Sequence, residues 1–174
     1  KKINIHKRYG LPKNSKIIFS LGRINEMKGY QLVIQHISSI QKNNNFPLYY
    51  LIAGEDDGYL NNLISLCKEL KVEEFIKFIG PIDSKNRDQM IKSCDFYVIP
   101  SLAEPFGLVV LEGLNVKKIP YVNIEGGALS ELSAIFNLPD YKLIPKKPGY
   151  NDIFRRLENF SIEKMAKSYL DLYK

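Results

Sequence analysis

The sequence predicts an α/β fold, a doubly wound parallel sheet of about six strands, and three observations support this. Short runs of β-branched and aromatic residues alternate with longer stretches whose apolar residues recur every three or four positions. Strand and helix in this rhythm indicate parallel strands joined by right-handed crossovers. Glycine or charged residues follow most of the predicted strands, as in loops at one sheet edge. The 174 residues suffice for one domain with a full core.

The first half of the chain contains three predicted strands. The first two, IIFS (17–20) and LYYLIA (48–53), are short and rich in strand-forming residues, and each is followed by a helix with a 3.6-residue apolar period. The apolar faces of these helices are Tyr30, Val33, Ile34, Ile37 and Ile40, then Leu60, Leu63, Ile64, Cys67 and Leu70. A third strand at 76–78 leads to a short helix near 85–93.

The second half continues the pattern. FYVI (96–99) is the fourth strand, and Phe106, Gly107 and Leu108 begin the next helix. The fifth strand is expected at 119–123, a further helix at 128–136, and a sixth strand, YKLI, at 141–144.

Composition excludes several classes of function. The net charge is +6, but the lysines are spread along the chain, so nucleic-acid binding is not predicted, whereas attraction for nucleotide phosphates or an anionic membrane surface is open. No apolar run reaches the roughly 18 residues of a membrane helix, and a cytoplasmic protein is expected. Because the chain begins at Lys1 with a polar, basic stretch, we expect a fragment whose residues 1–16 form a linker.

Cysteine and histidine are too few for several kinds of active site. Cys67 and Cys94 lie among apolar neighbours without metal-binding spacing, so buried free thiols are expected. Only His6 and His36 are present, which disfavours a Ser-His-Asp triad or a histidine-ligated metal, and His36 is expected at the surface.

The loops after the strands are the places to look for a ligand, because doubly wound sheets bind ligands at the carboxyl ends of their strands. These loops read LGRINEMKG, GEDDG, GPID, PSLAEPFG and NIEGG. Each alone could be ordinary turn chemistry. Together they predict a polar crevice, in which Arg23 and Lys28 would suit a phosphate or diphosphate.

Glu104 and Glu112 lie on either side of a predicted helix start, with seven residues between them. Acidic residues near a helix N-terminus can simply stabilise the helix dipole. Glu112, however, lies in an apolar segment and needs a partner, either an arginine or lysine or a ligand hydroxyl. Carboxylates suit sugar hydroxyls, and a diphosphate between sugars is a nucleotide sugar.

The stretches GRINEMKG, IAGEDDGYL, FIGPI and CDFYVIPSLAEPFGLVVLEGL, with the GG loop after the fifth strand, resemble the donor-binding C-terminal half of a family 4 (group 1) retaining glycosyltransferase. The resemblance runs in register over 17–127. It implies a Rossmann-like half of a GT-B fold, with a nucleotide-sugar-binding domain at 17–160 and a closing helix at 161–174.

The resemblance also implies roles for individual residues. Arg23 and Lys28 would bind the donor diphosphate and stabilise the leaving group, and Glu104 would contact the transferred sugar. The remaining donor-binding residues would be Gly22, Gly80, Ile82, Phe106, Gly107, Leu108 and Glu112. Of these, Glu112 would hold the ribose, the amides of 106–108 the sugar and phosphate, and the loop at Gly80 and Ile82 the base. A UDP-sugar is expected first, with GDP- or ADP-sugars possible, and neither a cofactor nor a metal is expected, so residues 55–57 (EDD) would be a solvated turn.

Two departures from the family pattern are visible. Lys117, Lys118, Ile119 and Pro120 stand where the family has a Gly-Xaa-Pro turn. GGALSE is one residue longer than the family's GGxxE, so Glu131 is given no role.

The resemblance further implies an acceptor-binding N-terminal domain outside this chain, without which no sugar transfer is expected, and allows peripheral membrane association of the full-length protein. The alternatives are half of a nucleotide-sugar 2-epimerase, a regulatory module of flavodoxin-like topology and a non-catalytic nucleotide-sugar-binding module.

Overall fold

A computed structural model describes residues 2–146 of the chain. Within that range a five-stranded parallel sheet has the order β3-β2-β1-β4-β5. The strands are β1 (Lys16–Leu21), β2 (Leu48–Ala53), β3 (Ile76–Gly80), β4 (Phe96–Ile99) and β5 (Pro120–Val122). The helices are α1 (Ile5–Tyr9), α2 (Tyr30–Ile40), α3 (Leu60–Leu70), α4 (Ser84–Ser93), α5 (Leu108–Asn115) and α6 (Ala128–Phe136).

The strand order reverses direction between β1 and β4. From β1 the chain adds β2 and β3 on one side, then returns to place β4 and β5 on the other. The register is continuous from Lys16 opposite Leu48 to Leu21 opposite Ala53, while β4 joins β1 through Ile18 opposite Phe96. The doubly wound α/β prediction is thus confirmed, and the reversal puts the topological switch point, where sheets of this kind bind ligands, at the carboxyl ends of β1 and β4.

Alternate residues of the central strand pack into two apolar layers. Ile17 and Phe19 belong to the layer that includes side chains of α1, α4, α5 and α6. Ile18 faces the opposite way, into the layer formed with α2 and α3. Both faces of β1 are therefore buried, which explains its nearly continuous apolar sequence.

Residues expected as a linker contain a helix that packs on the core. Asn4 caps α1 by accepting a hydrogen bond from the Lys7 amide at 2.9 Å. Ile5 and Leu11 are buried, and the Ile3 amide donates to Ser93 Oγ at 2.8 Å. Within the segment predicted as a linker, residues 2–16, the chain thus packs on the domain core through Ile5 and Leu11.

The predicted sixth strand at 141–144 is wrong. Residues Tyr141–Leu143 form a short 3-10 helix whose N-terminus is capped by Asp140, which accepts from the Lys142 amide at 2.8 Å. Tyr141 is buried edge-on against His36, whose Nε2 lies 3.0 Å from the Ile144 carbonyl oxygen. His36 is thus half-buried, not at the surface, and packing on α2 takes the place of pairing with β5.

The buried cysteines are confirmed as free thiols in the two core layers. Burial raises the pKa of Cys67 to about 11 and that of Cys94 to about 12. Among residues 2–146 no helix has the length and apolar character needed to cross a bilayer. The predicted closing helix at 161–174, like the end of the predicted domain 17–160, lies outside the described residues.

Candidate functional site

The loops at the carboxyl ends of the strands are tied together by backbone hydrogen bonds into one continuous surface. We call this surface the rim and define it as residues 22–29, 54–59, 80–83, 100–107 and 123–127. The bonds that join successive loops are Gly54 N to Gly80 O, Ile24 N to Glu55 O, Leu102 N to Met27 O and Glu104 N to Gly126 O, all between 2.7 and 3.2 Å. The loops predicted to line a polar crevice are therefore neighbours along one edge of the sheet.

Two glycines let neighbouring loops of the rim approach this closely. A Cβ on Gly29 would lie 2.0 Å from the Pro100 carbonyl oxygen, and one on Gly54 would lie 1.9 Å from the Gly22 carbonyl oxygen. Gly29 also has φ of +68°, which L-residues with a side chain seldom adopt. The glycine at position 29 thus directly supports the position of its neighbour, Lys28.

Lys28 and Glu104 form an ion pair at the centre of the rim. Lys28 Nζ lies 3.0 Å from Glu104 Oε2, and Ser101 Oγ lies 3.5 Å from the same oxygen. Glu104 is only 9% exposed, so its carboxylate depends on this cation for charge compensation. The Lys28 amide is held in turn by Asn25 Oδ1 at 3.2 Å. The structure thus brings together two of the three residues predicted to be catalytic.

Arg23, the third predicted catalytic residue, is paired elsewhere. Its guanidinium lies 3.1 Å from Asp57 Oδ2, and Asn25 Nδ2 donates to the same oxygen at 2.9 Å. The Arg23 side chain is 71% exposed, so this pair is weak and easily exchanged.

The acidic residues 55–57 do more than form a solvated turn. Asp56 Oδ1 accepts hydrogen bonds from the amides of residues 58, 59 and 60 at 3.0–3.1 Å and so supports the start of α3, while Asp57 binds Arg23. Within residues 2–146 no group of three or more His, Cys, Asp or Glu side chains is arranged to hold a metal ion.

Helix α5 begins at Leu108, four residues after Glu104. Gly107 precedes the helix with φ of +66°, and no side chain within the described residues caps its first amides. Free amides and the helix dipole favour an anion at this point. Phe106 is 79% exposed and Leu108 is also exposed, so neither side chain covers the helix start.

Glu112, one turn into α5, has an arginine partner. Nη1 of Arg87, a residue of α4, lies 2.9 Å from Glu112 Oε1, and Nε of Arg87 lies 3.1 Å from Asp88 Oδ1. Of the two kinds of partner that the sequence left open for Glu112, the structure thus supplies the cation. Arg87 was not predicted from the sequence, because its segment DSKNRDQMIK carries charged residues throughout and the pattern does not show which one faces α5.

The other predicted donor-binding residues lie on the β1 and β3 side of the rim. The Gly22 carbonyl accepts a hydrogen bond from Tyr30 Oη at 2.9 Å, and burial raises the pKa of Tyr30, which keeps that hydroxyl protonated. Gly80 ends β3 with φ of +71° and open space around it, and Ile82 is partly buried against the core. Their roles in binding stay predictions.

Comparisons with known proteins agree with this architecture. Residues 1–133 match the model of the family described as glycosyl transferases group 1. An uncharacterized glycosyltransferase of Methanocaldococcus jannaschii is 31% identical over 128 residues, which cover 74% of this chain and 32% of that protein. The O-antigen biosynthesis glycosyltransferase WclY of Escherichia coli is 34% identical over 67% of this chain and 31% of its own length. The chain thus spans about a third of the length of these relatives.

Solved structures show the same fold at low sequence identity. WaaG, a glycosyltransferase involved in lipopolysaccharide biosynthesis, matches with a TM-score of 0.65 at 17% identity, over 76% of this chain and 34% of its own. Anabaena HepE in complex with UDP and glucose matches with a TM-score of 0.65 at 21% identity, over 94% of this chain and 42% of its own. The sheet is therefore the Rossmann-like half of a GT-B architecture, and the chain belongs to the family of group 1 glycosyltransferases.

Proposed function

We propose that the chain binds a nucleoside diphosphate sugar as the donor of a retaining, metal-independent glycosyl transfer. The observation that carries this proposal is the Lys28–Glu104 pair at the topological switch of the sheet, with the uncapped N-terminus of α5 four residues after Glu104. This arrangement places a cation and free amides beside a buried carboxylate. A diphosphate linked to a sugar has the matching chemistry, with anionic oxygens next to hydroxyl donors.

The diphosphate would lie between Lys28 and the first amides of α5. When the bond from sugar to phosphate breaks, negative charge grows on the leaving phosphate, and fixed positive groups stabilise that change. Arg23 would add a second cation, and its exposed pair with Asp57 leaves it free to exchange a carboxylate for a phosphate. Transfer supported in this way needs no metal ion for charge compensation.

The two glutamates would divide the remaining contacts. Glu104 is buried beside Lys28 and would accept hydrogen bonds from the transferred sugar. Glu112 lies one turn further along α5 and would accept them from the ribose. The base would rest on the loop of Gly80 and Ile82. UDP is the first nucleotide to test, because Anabaena HepE, a protein of similar fold, has been solved with UDP-glucose.

Titration calorimetry of Glu104→Gln and Glu112→Gln with UDP and UDP-glucose tests this division. Glu112→Gln is expected to weaken both ligands by about 1.5–3 kcal/mol, the range for a charged hydrogen bond. Glu104→Gln is expected to weaken UDP-glucose and leave UDP nearly unchanged. Arg23→Ala serves as comparison, since loss of a phosphate contact should weaken both ligands alike. Equal losses of UDP affinity in the two glutamine variants would contradict the assignment.

We further propose that the acceptor binds to a part of the protein outside this chain. In support, the chain corresponds to only about a third of its relatives' length. The 174-residue chain alone is then expected to bind donor without transferring sugar, which an assay with UDP-glucose and candidate acceptors would check. Transfer by the purified chain would show that the acceptor site is contained in it.

A further inference from the structure

We propose that Arg87 is a positioning residue that orients the Glu112 carboxylate toward a ribose diol, and thereby helps the site prefer ribonucleotides to nucleotides that lack the diol. The proposal rests on the ribose-binding role proposed for Glu112. It adds a residue of α4, the helix between β3 and β4 in the chain, to a site otherwise built from the loops after β1, β3 and β4 and from α5.

Arg87 is held from two directions before any ligand arrives. Its Nη1 lies 2.9 Å from Glu112 Oε1, and its Nε lies 3.1 Å from Asp88 Oδ1. The guanidinium is planar, so fixing two of its nitrogens fixes the direction of the whole group. Arg87 and Glu112 are also similarly shielded, at 30% and 33% side-chain exposure. Such a half-buried pair is more strongly coupled than one in open solvent.

The backbone of Arg87 is fixed as firmly as its side chain. Its amide donates to the Asp83 carbonyl at 2.8 Å in the first turn of α4. Asp83 also caps this helix, with Oδ1 accepting from the Asn86 amide at 2.7 Å, and this bond lowers the pKa of Asp83. The base of the Arg87 side chain is therefore part of a capped helix, which limits where the guanidinium can go.

The pair leaves acceptor capacity on Glu112. Arg87 takes one hydrogen bond at Oε1, and within residues 2–146 no donor reaches Oε2. An ionised carboxylate offers about four lone-pair directions, enough for two ribose hydroxyls beside the arginine. Because the carboxylate is already oriented, the cost of ordering a flexible glutamate is met before the nucleotide binds.

The alternative is that Arg87 only neutralises Glu112 or attracts phosphate at a distance. The two roles differ in the ligand they affect. A general cation would strengthen the binding of UDP and of 2′,3′-dideoxy-UDP equally, because both ligands carry the same diphosphate. A positioning residue would strengthen only the binding of UDP, which has the ribose hydroxyls.

The experiment measures dissociation constants of UDP and 2′,3′-dideoxy-UDP by calorimetry for the wild-type chain, Arg87→Met, Arg87→Lys, Glu112→Gln and the double variant Arg87→Met/Glu112→Gln. Arg87→Met is expected to lose about fivefold in UDP affinity, less than the tenfold or more for removing a charged hydrogen bond directly. Dideoxy-UDP affinity should not change, which also verifies that the variant is folded. Arg87→Lys should recover part of the lost UDP affinity, since lysine keeps the positive charge but lacks the planar guanidinium. Lys85→Met, an exposed cation on the same helix, is the matched control and should change neither ligand.

The double variant provides the sharpest criterion. In a chain that already carries Glu112→Gln, adding Arg87→Met should not further reduce the selectivity for UDP over dideoxy-UDP, because the arginine acts through the carboxylate. If Arg87→Met loses affinity for UDP and dideoxy-UDP equally, or binds UDP more tightly, the positioning role of Arg87 is wrong, while the ribose role of Glu112 is unaffected. If Glu112→Gln leaves the ratio of the two dissociation constants unchanged, the ribose role of Glu112 fails, and this proposal fails with it.

Discussion

Replacing Gly29 with alanine is expected to loosen the rim at its centre. Gly29 has φ of +68°, and a Cβ there would lie 2.0 Å from the Pro100 carbonyl oxygen, which is backbone and cannot rotate away. The left-handed conformation costs an alanine about 1–2 kcal/mol, and forcing an extra carbon into a packed site adds about 1–3 kcal/mol. Alanine also reduces the conformational entropy of the unfolded chain, which offsets a smaller part of these costs. We therefore expect a net loss of about 2–4 kcal/mol in the free energy of unfolding.

Gly10→Ala is the matched control. Gly10 has nearly the same φ, +64°, also ends a helical turn, and has no atom within 4 Å of its would-be Cβ. Gly10→Ala should therefore lose only the conformational part of the free energy of unfolding. The difference between the two variants in urea denaturation then gives the cost of the packing clash at residue 29. Gly29→Ala should also weaken UDP binding, because the loop that moves carries Lys28. Equal losses of stability in the two variants would refute the close contact between the loops.

Two further predictions concern the rest of the fold. Lys117 has φ of +59° in the turn that stands in place of the family's Gly-Xaa-Pro. Lys117→Gly should therefore raise the free energy of unfolding by about 0.5–1 kcal/mol in urea denaturation, and a decrease would contradict the left-handed conformation of residue 117. Burial raises the pKa of Cys67 and Cys94 to about 11 and 12, so the unfolded chain loses these protons first and stability should fall as the pH rises above about 9. Thiol labelling of the native chain at pH 8 should accordingly be slow, and rapid labelling without urea would show that the thiols are not buried.

The strands and helices were predictable where their signal is local. The apolar period of α2 and the run of β2 each specify one structure, and the structure confirms both. The prediction of a strand at YKLI was wrong because this short sequence is equally compatible with an edge strand and with a 3-10 turn. Its conformation is decided by contacts distant in sequence: Tyr141 packs against His36, and the bridge between Val122 of β5 and Asp140 is isolated and does not continue into a strand.

The site was predictable to the extent that it depends on strand ends. Lys28 and Glu104 follow adjacent strands, β1 and β4, so their meeting follows from the topology. The pairing of Glu112 with Arg87 depends on the rotation of α4 about its axis, and the turn of Arg23 toward Asp57 depends on a loop conformation. Neither leaves a pattern in the sequence.

The central claim is that the rim binds the diphosphate of a nucleotide sugar through Lys28 without a metal ion. Calorimetric titration of the chain with UDP in the presence of EDTA tests it, with Lys28→Met as the variant. Lys16→Met is the matched control, since Lys16 is also paired with a carboxylate at 3.0 Å, that of Asp95, but at the opposite edge of the sheet.

We expect the wild-type chain and Lys16→Met to bind UDP equally well in EDTA. Lys28→Met should bind it about ten- to a hundredfold more weakly, the equivalent of one charged hydrogen bond. No binding of UDP, GDP or ADP by the wild-type chain, binding that EDTA abolishes, or equal affinity in Lys28→Met and Lys16→Met would contradict the claim.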